Sequence, residues 1–366
     1  MKKDETAITN KLSGGGKQKN RRLRIAAAAL AAVLLAVCIL LAVNAFVYPL
    51  RYLWVLFGKV SVPPRQEGEL RVHFLDVGQG DCAVIEFPDG KTMIVDGGDE
   101  TRASRQTVLR YIRALGIEKF DFLLLTHTDG DHAGGLDDVL ALYGADTAFV
   151  PYCTRPSIND SYSDFTRALS ESGSKAEISH LYTHVLSDTP ENFYYLTFLS
   201  PLSPGLEGSF YDKANADGAT AEDINDASAV FWLEYAGRSI LFTGDITSRA
   251  EEFLLSAYTD LGAEAFGQTV SAPWGEKIRL APELEDLDFL KVAHHGSAQS
   301  SSEEFLRMTA PEAAFVSAGT GNGYGHPSAE TLSRLSAAGA EIFRTDESGT
   351  ILLTIGKDGS YTVEYT

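Results

Sequence analysis

The run Thr126–His132, THTDGDH, packs His127, Asp129, Asp131 and His132 into six residues. They directly follow an apolar stretch, residues 122–126, with the length of a buried strand. A strand end followed by a tight loop can bring several short side chains to one point. Imidazole and carboxylate are ordinary zinc ligands, and carboxylates also suit manganese, so the packet can supply two adjacent divalent metal ions, zinc or manganese. An acidic surface turn with two solvated histidines would have the same composition. Beside a buried strand, however, so many ligand-type groups require partners. Gly130 fits the turn, and Gly134 and Gly135 permit close approach ahead of the next helix.

Further candidates stand at other strand ends. Phe242, Thr243, Gly244 and Asp245 end a strand on a carboxylate, and His294, His295, Gly296 and Ser297 follow the apolar Leu290, Val292 and Ala293. Taken singly, an aspartate at a strand end is a turn or helix-cap residue. Combined with the first run they carry more weight, because a sheet fold brings successive strand ends to one edge.

The elements that must position these groups are visible in the hydrophobic pattern. Leu70, Val72 and Phe74 alternate with Arg71 and His73, the period of a half-buried strand. Residues 82–87 and 91–95 follow as short strands joined by a hairpin turn at Asp89 and Gly90. A helix is expected over 102–115, with Val108, Ile112 and Leu115 on one face and Gly116 as its stop. Strands at 229–235, 238–242 and 289–293, helices at 248–261 and 328–338, and extended segments at 351–354 and 361–364 complete the series. Residues 205–223 and 262–286 read as long loops or insertions. Mixed strands with interspersed helices predict an α/β (α+β) fold, two sheets packed as a sandwich and covered by helices.

The chain has 366 residues, 44% hydrophobic and 22% charged, which is the composition of a globular protein rather than a disordered one. The formal net charge of −19 understates the acidity of the main domain, because Lys2, Lys3, Lys11, Lys17, Lys19, Arg21, Arg22 and Arg24 all precede the first hydrophobic run. Such a domain repels polyanions unless metal ions or a local basic groove offset its field. Three cysteines exclude a disulfide framework, although Cys82 and Cys153 could pair.

Ile25 to Val43 is unbroken by a polar side chain and long enough to span a bilayer. The expected organisation is a basic cytoplasmic tail at 1–24, a transmembrane anchor at 25–50, a linker at 51–68 and one large soluble domain at 69–366. Positive charge ahead of the anchor predicts a single-pass protein of the cell membrane, with a cytoplasmic N-terminus and an extracytoplasmic domain. The alternative is secretion after signal cleavage near Val43 and Ala45, but the apolar run exceeds a usual signal-peptide core.

LDVGQGDC from Leu75, IVDGG from Ile94, THTDGDHAGGL from Thr126, FTGD from Phe242, LKVAHHGS from Leu290 and YGHPS from Tyr324 occur in this order. Together they resemble the metallo-β-lactamase domain of ComEC competence proteins, from about Leu70 to the C-terminus. The resemblance implies an αββα sandwich, here preceded by one transmembrane helix, with the metal site at one edge between the sheets. It implies that His127 and Asp129 hold one metal, that Asp131 and His132 hold the other, and that Asp245 bridges them. One of His294 and His295 supplies the last imidazole; His295 is preferred because it stands immediately before glycine, which leaves His294 behind it. Asp96 matches a position that braces the ligand loop, and ligating imidazoles need an oriented partner. A plain turn carboxylate is the alternative there. Asp76, Gln79 and Asp81 belong to the first motif and could face the site or the substrate. Ser297 and His326 could contact the leaving group or an anion. Most members of the wider superfamily have histidine in place of Asp129, and the third histidine of the first site has no counterpart. Asn225 and Ser228 occupy that region, with Asn225 a candidate for substrate binding. The resulting ligand set is harder, which favours manganese over zinc.

Two adjacent cations lower the pKa of a shared water, hold the electrophile's oxygen and neutralise transition-state charge, in the hydrolysis of phosphodiesters, thioesters or lactones. Asp131 is the expected proton acceptor as well as a ligand, and His326 the electrophilic or acid group. The resemblance, and not any visible basic groove, favours cleavage of DNA. ComEC proteins also carry a multi-helix channel region, whereas one hydrophobic segment precedes the hydrolase domain here. Two alternatives stand beside this reading. One is a hydrolase of small esters, lactones or cell-wall phosphoesters; the other is a non-catalytic binding subunit of a DNA-uptake assembly.

Overall fold

The chain divides into Met1–Gly58 and Lys59–Thr366, a boundary inside the expected linker. The structure, a computed structural model, describes residues 4–46, 50–58, 60–155, 157–261 and 267–366. In the first unit, helix α1 (Asp4–Phe46) runs unbroken through the basic tail, including Ser13–Gly16, into the apolar segment. Its segment Arg21–Ala42 has 22 residues and exposed apolar side chains. At 1.5 Å per residue this gives about 33 Å, enough for a hydrocarbon core of roughly 30 Å.

The second unit is built on two sheets. One contains β1 (Leu70–Phe74), β2 (Ala83–Glu86), β3 (Thr92–Val95), β4 (Phe120–Leu124), β5 (Ala145–Val150), β6 (Lys175–Ile178), β16 (Ile351–Ile355) and β17 (Tyr361–Tyr365), in the order β17-β16-β1-β2-β3-β4-β5-β6. The other runs β15 (Glu341–Arg344), β14 (Ala313–Val316), β13 (Phe289–Lys291), β10 (Arg238–Phe242), β9 (Val230–Tyr235), β8 (Tyr194–Ser200), β7 (His184–Leu186). Their facing sides form a core in which Phe74 stacks on Phe315 at 4.6 Å and Phe231 on Phe242 at 4.4 Å. The far side of the second sheet, through Trp232, Leu241, Leu290 and Val316, packs on Leu254 of α8 (Ser248–Leu261), Phe305 of α9 (Glu303–Thr309) and Leu335 of α10 (Ala329–Ala337). This is the expected αββα sandwich.

β1 differs from its expected half-buried state, since all five residues are buried. The polar side chains do alternate, but they find partners on α2 (Arg102–Leu115) and on β2. His73 Nδ1 is 3.0 Å from Tyr111 Oη and its Nε2 is 2.9 Å from Glu86, with Arg71 3.5 Å from the same carboxylate. Hydrogen bonding makes burial of such groups tolerable. α2 itself starts and stops where the sequence suggests, with Thr101 accepting from Ser104 N–H and Gly116 left-handed at φ 74°.

The strand before the ligand loop ends at Leu124 rather than Thr126. Residues 205–223 are not one long loop, because α6 (Phe210–Asn215) and α7 (Ala221–Asp226) fall there, and Thr220 with Asp223 forms a capping box. Within 262–286, residues 262–266 lie outside the described ones, and the remainder carries the ribbon β11 (Gln268–Ser271) and β12 (Lys277–Leu280). Cys82 is buried and Cys153 partly so, both as free thiols.

Candidate metal centre

β3, β4 and β5 run parallel, as do β10, β13 and β14. Parallel neighbours deliver their C-terminal ends to one edge. That edge receives Asp96 after β3, His127 to His132 after β4, Asp245 after β10, and His294 and His295 after β13. Two backbone hydrogen bonds tie these ends together: Ala229 N–H to Thr126 O at 3.0 Å joins the two sheets, and His294 N–H to Gly244 O at 3.0 Å joins the second-sheet loops. His294 and His295 take left-handed φ values of 50° and 54°, which turns both rings back toward the edge.

Two ligands about 2.1 Å from a tetrahedral ion lie about 3.4 Å apart. His132 Nε2 is 3.3 Å from Asp245 Oδ2, and His295 Nε2 is 3.3 Å from Asp131 Oδ2 and 3.5 Å from Asp245 Oδ2. Ligand atoms of His127, His132 and Asp245 all fall within 4.8 Å of one another, and so do those of Asp131, His132 and His295. His132 is therefore common to both groups, and His127 keeps company with His132 and Asp245. Asp129 stands at the rim, about one-third exposed, with Oδ2 3.9 Å from His127 Nε2.

The Nε2 atoms of His127, His132 and His295 and Oδ1 of Asp245 are buried without a hydrogen-bond partner. Each such atom costs about 1–3 kcal/mol if left unpaired. Their convergence fits a divalent cation, and the opposite ring nitrogens are oriented for it. Asp96 accepts from Thr126 N–H and Oγ1–H, both at 2.8 Å, and from His132 Nδ1 at 2.8 Å. Having given its one proton to Asp96, the Thr126 hydroxyl must accept from His127 Nδ1, 3.1 Å away. His295 Nδ1 donates to Ser317 O at 3.0 Å, with Asp81 Oδ1 3.2 Å away as a charged neighbour. These partners place the proton on Nδ1 of each ring and leave the Nε2 lone pair for a metal. Asp96 is thus hydrogen-bonded both to the start of the ligand loop and to His132, and Thr126 links it to His127.

Charge follows the same pattern. Burial opposes ionisation of Asp245, but His132 and His295 hold it well below the usual carboxylate range. Burial also works against a charged His132, and Asp245 and Asp96 outweigh it and raise the ring well above an ordinary imidazole. His295, against the same burial, is raised to about 10 by Asp245 and Asp81. Asp131 is brought down to about 2 by the adjacent His295 and by His132, against burial. Burial, then the His132 charge, drops His127 to about 4, while burial and Asp131 lift Asp129 to about 6. Without a cation, protons on His132 and His295 neutralise the carboxylates.

The remaining candidates are placed as follows. His294 Nε2 is 3.9 Å from Asp245 Oδ2, and its ring lies 5.3 Å from that of His326. His326 is 6.5 Å from His295, ring to ring, and its Nδ1 is buried and unpartnered. Burial, then the neighbouring His294, lowers the His326 pKa. Asn225, at the end of α7, is buried with Oδ1 unpartnered, and Ser228 Oγ accepts from Asp245 N–H at 3.1 Å. Gln79 Oε1 accepts from Gly319 N–H at 3.3 Å. Ser297 Oγ accepts from Gln299 N–H at 3.3 Å and so serves its own turn. Asp76 is exposed and accepts from Gly78 N–H at 3.2 Å, a turn carboxylate. In that first motif it is Asp81 that reaches the histidines. Lys291 Nζ lies 2.7 Å from Asp81 Oδ2 and donates to Val292 O at 3.0 Å, with both side chains of this ion pair buried. Sequence reasoning gave Lys291 no role, although a lysine inside the apolar run FLKVA requires a buried partner.

Residues 75–320 match the metallo-β-lactamase superfamily, a stretch that contains every candidate ligand named above. The chain belongs to this superfamily. It is accordingly a metal-dependent hydrolase. Among curated proteins it is similar to ComE operon protein 3 of Bacillus subtilis, 27% identical over 307 residues, covering 78% of this chain and 33% of the relative. It is similar to competence protein ComA of Neisseria gonorrhoeae, 27% identical over 342 residues, covering 92% of this chain and 40% of the relative. A third similarity is to endoribonuclease ysh-1 of Neurospora crassa, 26% identical over 202 residues, covering 52% of this chain and 22% of the relative. The chain thus spans between a third and two-fifths of the length of the two competence relatives.

Proposed function

We propose that the protein is a membrane-anchored phosphodiesterase with a dinuclear metal centre, acting on DNA outside the cytoplasm. The observation that carries this is the set of buried, unpartnered Nε2 atoms on His127, His132 and His295 around Asp245. His127, with Asp129 at the rim, would hold one ion, Asp131 and His295 the other, with Asp245 between them and His132 within reach of both. Two such ions, zinc or manganese, would polarise a water and neutralise charge on a phosphoryl group. Asp131 lies beside His295 and accepts the proton of the attacking water. His326, kept neutral by burial and its histidine neighbours, donates a hydrogen bond to the leaving oxygen. The names of the competence and endoribonuclease relatives support a phosphodiester substrate.

The anchor reading rests on the apolar segment Arg21–Ala42, and the outward domain on the basic residues that precede it. Protease protection in intact cells tests that orientation.

The activity test offers full-length protein in detergent, loaded with manganese or zinc, three substrates: bis-p-nitrophenyl phosphate, a single-stranded oligonucleotide and a lactone. Cleavage of both phosphodiesters is expected, and Asp131→Ala should abolish it. Turnover of the lactone alone would overturn the proposal in favour of a small-ester hydrolase, which the acidity of the domain also suits. Retained cleavage by Asp131→Ala would remove the assigned proton acceptor.

A further inference from the structure

We propose that Tyr324 is a stacking platform for a base of single-stranded nucleic acid, beside the metal centre; this rests on the phosphodiesterase reading above. At 74% exposure Tyr324 is the most exposed large hydrophobic side chain among the described residues of Lys59–Thr366. A lone exposed tyrosine needs no explanation. Two features set this one apart.

The first is rigidity. Tyr324 sits in the glycine-rich loop GTGNGYGH, which would be expected to be loose, yet Asn322 pins it. Asn322 Oδ1 accepts from Tyr324 N–H and His326 N–H, both at 3.1 Å, while Nδ2 donates to Gly319 O at 2.8 Å and to His326 O. A ring held open to solvent on a fixed loop loses little further freedom when a ligand lands on it, which is the advantage of preorganisation. The second is place. The Tyr324 ring stacks on His326 at 5.9 Å and 27°, and His326 lies 6.5 Å from His295. Two ring-to-ring steps therefore connect the open tyrosine face to a proposed metal ligand. A strand with its phosphate at the centre could lay an adjacent base there.

The chemistry favours bases over phosphates as the source of affinity. The domain is acidic, and Arg105, Arg238, Arg249, Lys291 and Arg344 are already committed to ion pairs. Stacking does not depend on phosphate neutralisation and accepts any base, because each presents a π-face. Duplex DNA hides those faces within its own stack, so the platform selects single strands.

The test uses full-length protein in detergent with manganese, and anisotropy of a labelled phosphorothioate oligothymidylate, which resists cleavage. A strand of the same length and linkage without bases serves as the control. Tyr324→Ala should weaken binding of the oligothymidylate by about 5- to 140-fold and leave the abasic strand unchanged, and Tyr324→Phe should retain binding. Undiminished oligothymidylate binding by Tyr324→Ala would overturn the inference. So would an equal loss on the abasic strand, or an unsubstituted protein that fails to distinguish the two strands. Cleavage of bis-p-nitrophenyl phosphate by the unsubstituted protein reports the phosphodiesterase reading separately, since the stacking result is read from binding alone.

Discussion

Replacing Lys291 by methionine keeps most of the side-chain volume and removes the cation that faces buried Asp81. The contact is 2.7 Å, between side chains 4% and 7% exposed, so solvent cannot take over the role of Lys291. Breaking a buried pair from one side costs about 3–5 kcal/mol, because the remaining charge is left uncompensated. In a domain of this size each kcal/mol lowers the melting temperature by about 2 °C, which gives a fall of roughly 6–10 °C. Burial opposes the Asp81 charge, and Lys291 followed by His295 overcomes this to hold its carboxyl below the usual range. A depressed carboxyl contributes stability above its unfolded pKa of about 3.9 and loses it as pH falls through the folded value. The penalty of Lys291→Met should therefore be full at pH 7 and shrink toward acid. Thermal unfolding of the single variants and of Asp81→Asn/Lys291→Met measures this, and the double variant should recover most of the loss through a coupling of about 2–3 kcal/mol. A Lys291→Met protein within 1 kcal/mol of the unsubstituted one, or a double variant equal to the sum of the singles, would refute the reasoning.

Metal binding should release about two protons at pH 7, from His132 and His295, because both rings are raised above an ordinary imidazole and a cation replaces their Nε2 protons. Calorimetry in buffers of different ionisation enthalpy measures this, and release of less than one proton contradicts it. For the metal-free protein the sign is fixed by the same rings: stability is full below the unfolded imidazole value of about 6.5 and falls as pH rises toward the His295 value of about 10. Its melting temperature should drop between pH 7 and 9, and added metal should restore it. Gly80→Ala should cost about 1–3 kcal/mol and lower bound metal, since Gly80 has φ 134° and an added Cβ would lie 2.4 Å from Asp131 O. Unfolding and metal content of the purified variant check both effects.

Much of the site was legible because its residues sit at strand ends, where a short apolar run, a glycine and a ligand-type side chain occur together. His127, Asp131, His132, Asp245 and His295 all carry that signal, and Asp96 carries it with IVDGG. The division of ligands between groups was not legible, since His132 reaches both through a helical turn, α3 (Gly130–Ala133), that begins at the loop itself. Lys291 was hidden for a different reason. Its partner Asp81 lies 210 positions away, and only the packing of the two sheets brings them together. The alternation in β1 suggests a half-buried strand because alternation reports polarity rather than exposure, and Tyr111 of α2 and Glu86 of β2 take up the polar groups. The strands between residues 145 and 200 carry no pattern that distinguishes them in the sequence, yet β5 and β8 are each paired on both sides, one place in from a sheet edge.

The hydrogen bond from Ala229 to Thr126 joins sheets whose ligands come from different halves of the chain: His127, Asp131 and His132 from one, Asp245 and His295 from the other. The groups His127, His132, Asp245 and Asp131, His132, His295 each draw on both halves, so a cation held by either would act as a rivet that can be set only after the sandwich has closed. A chain threaded across a membrane unfolded would arrive on the far side without metal. Which ion it then carries would be decided by the metals available where it folds, as much as by the hardness of Asp129 and its neighbours.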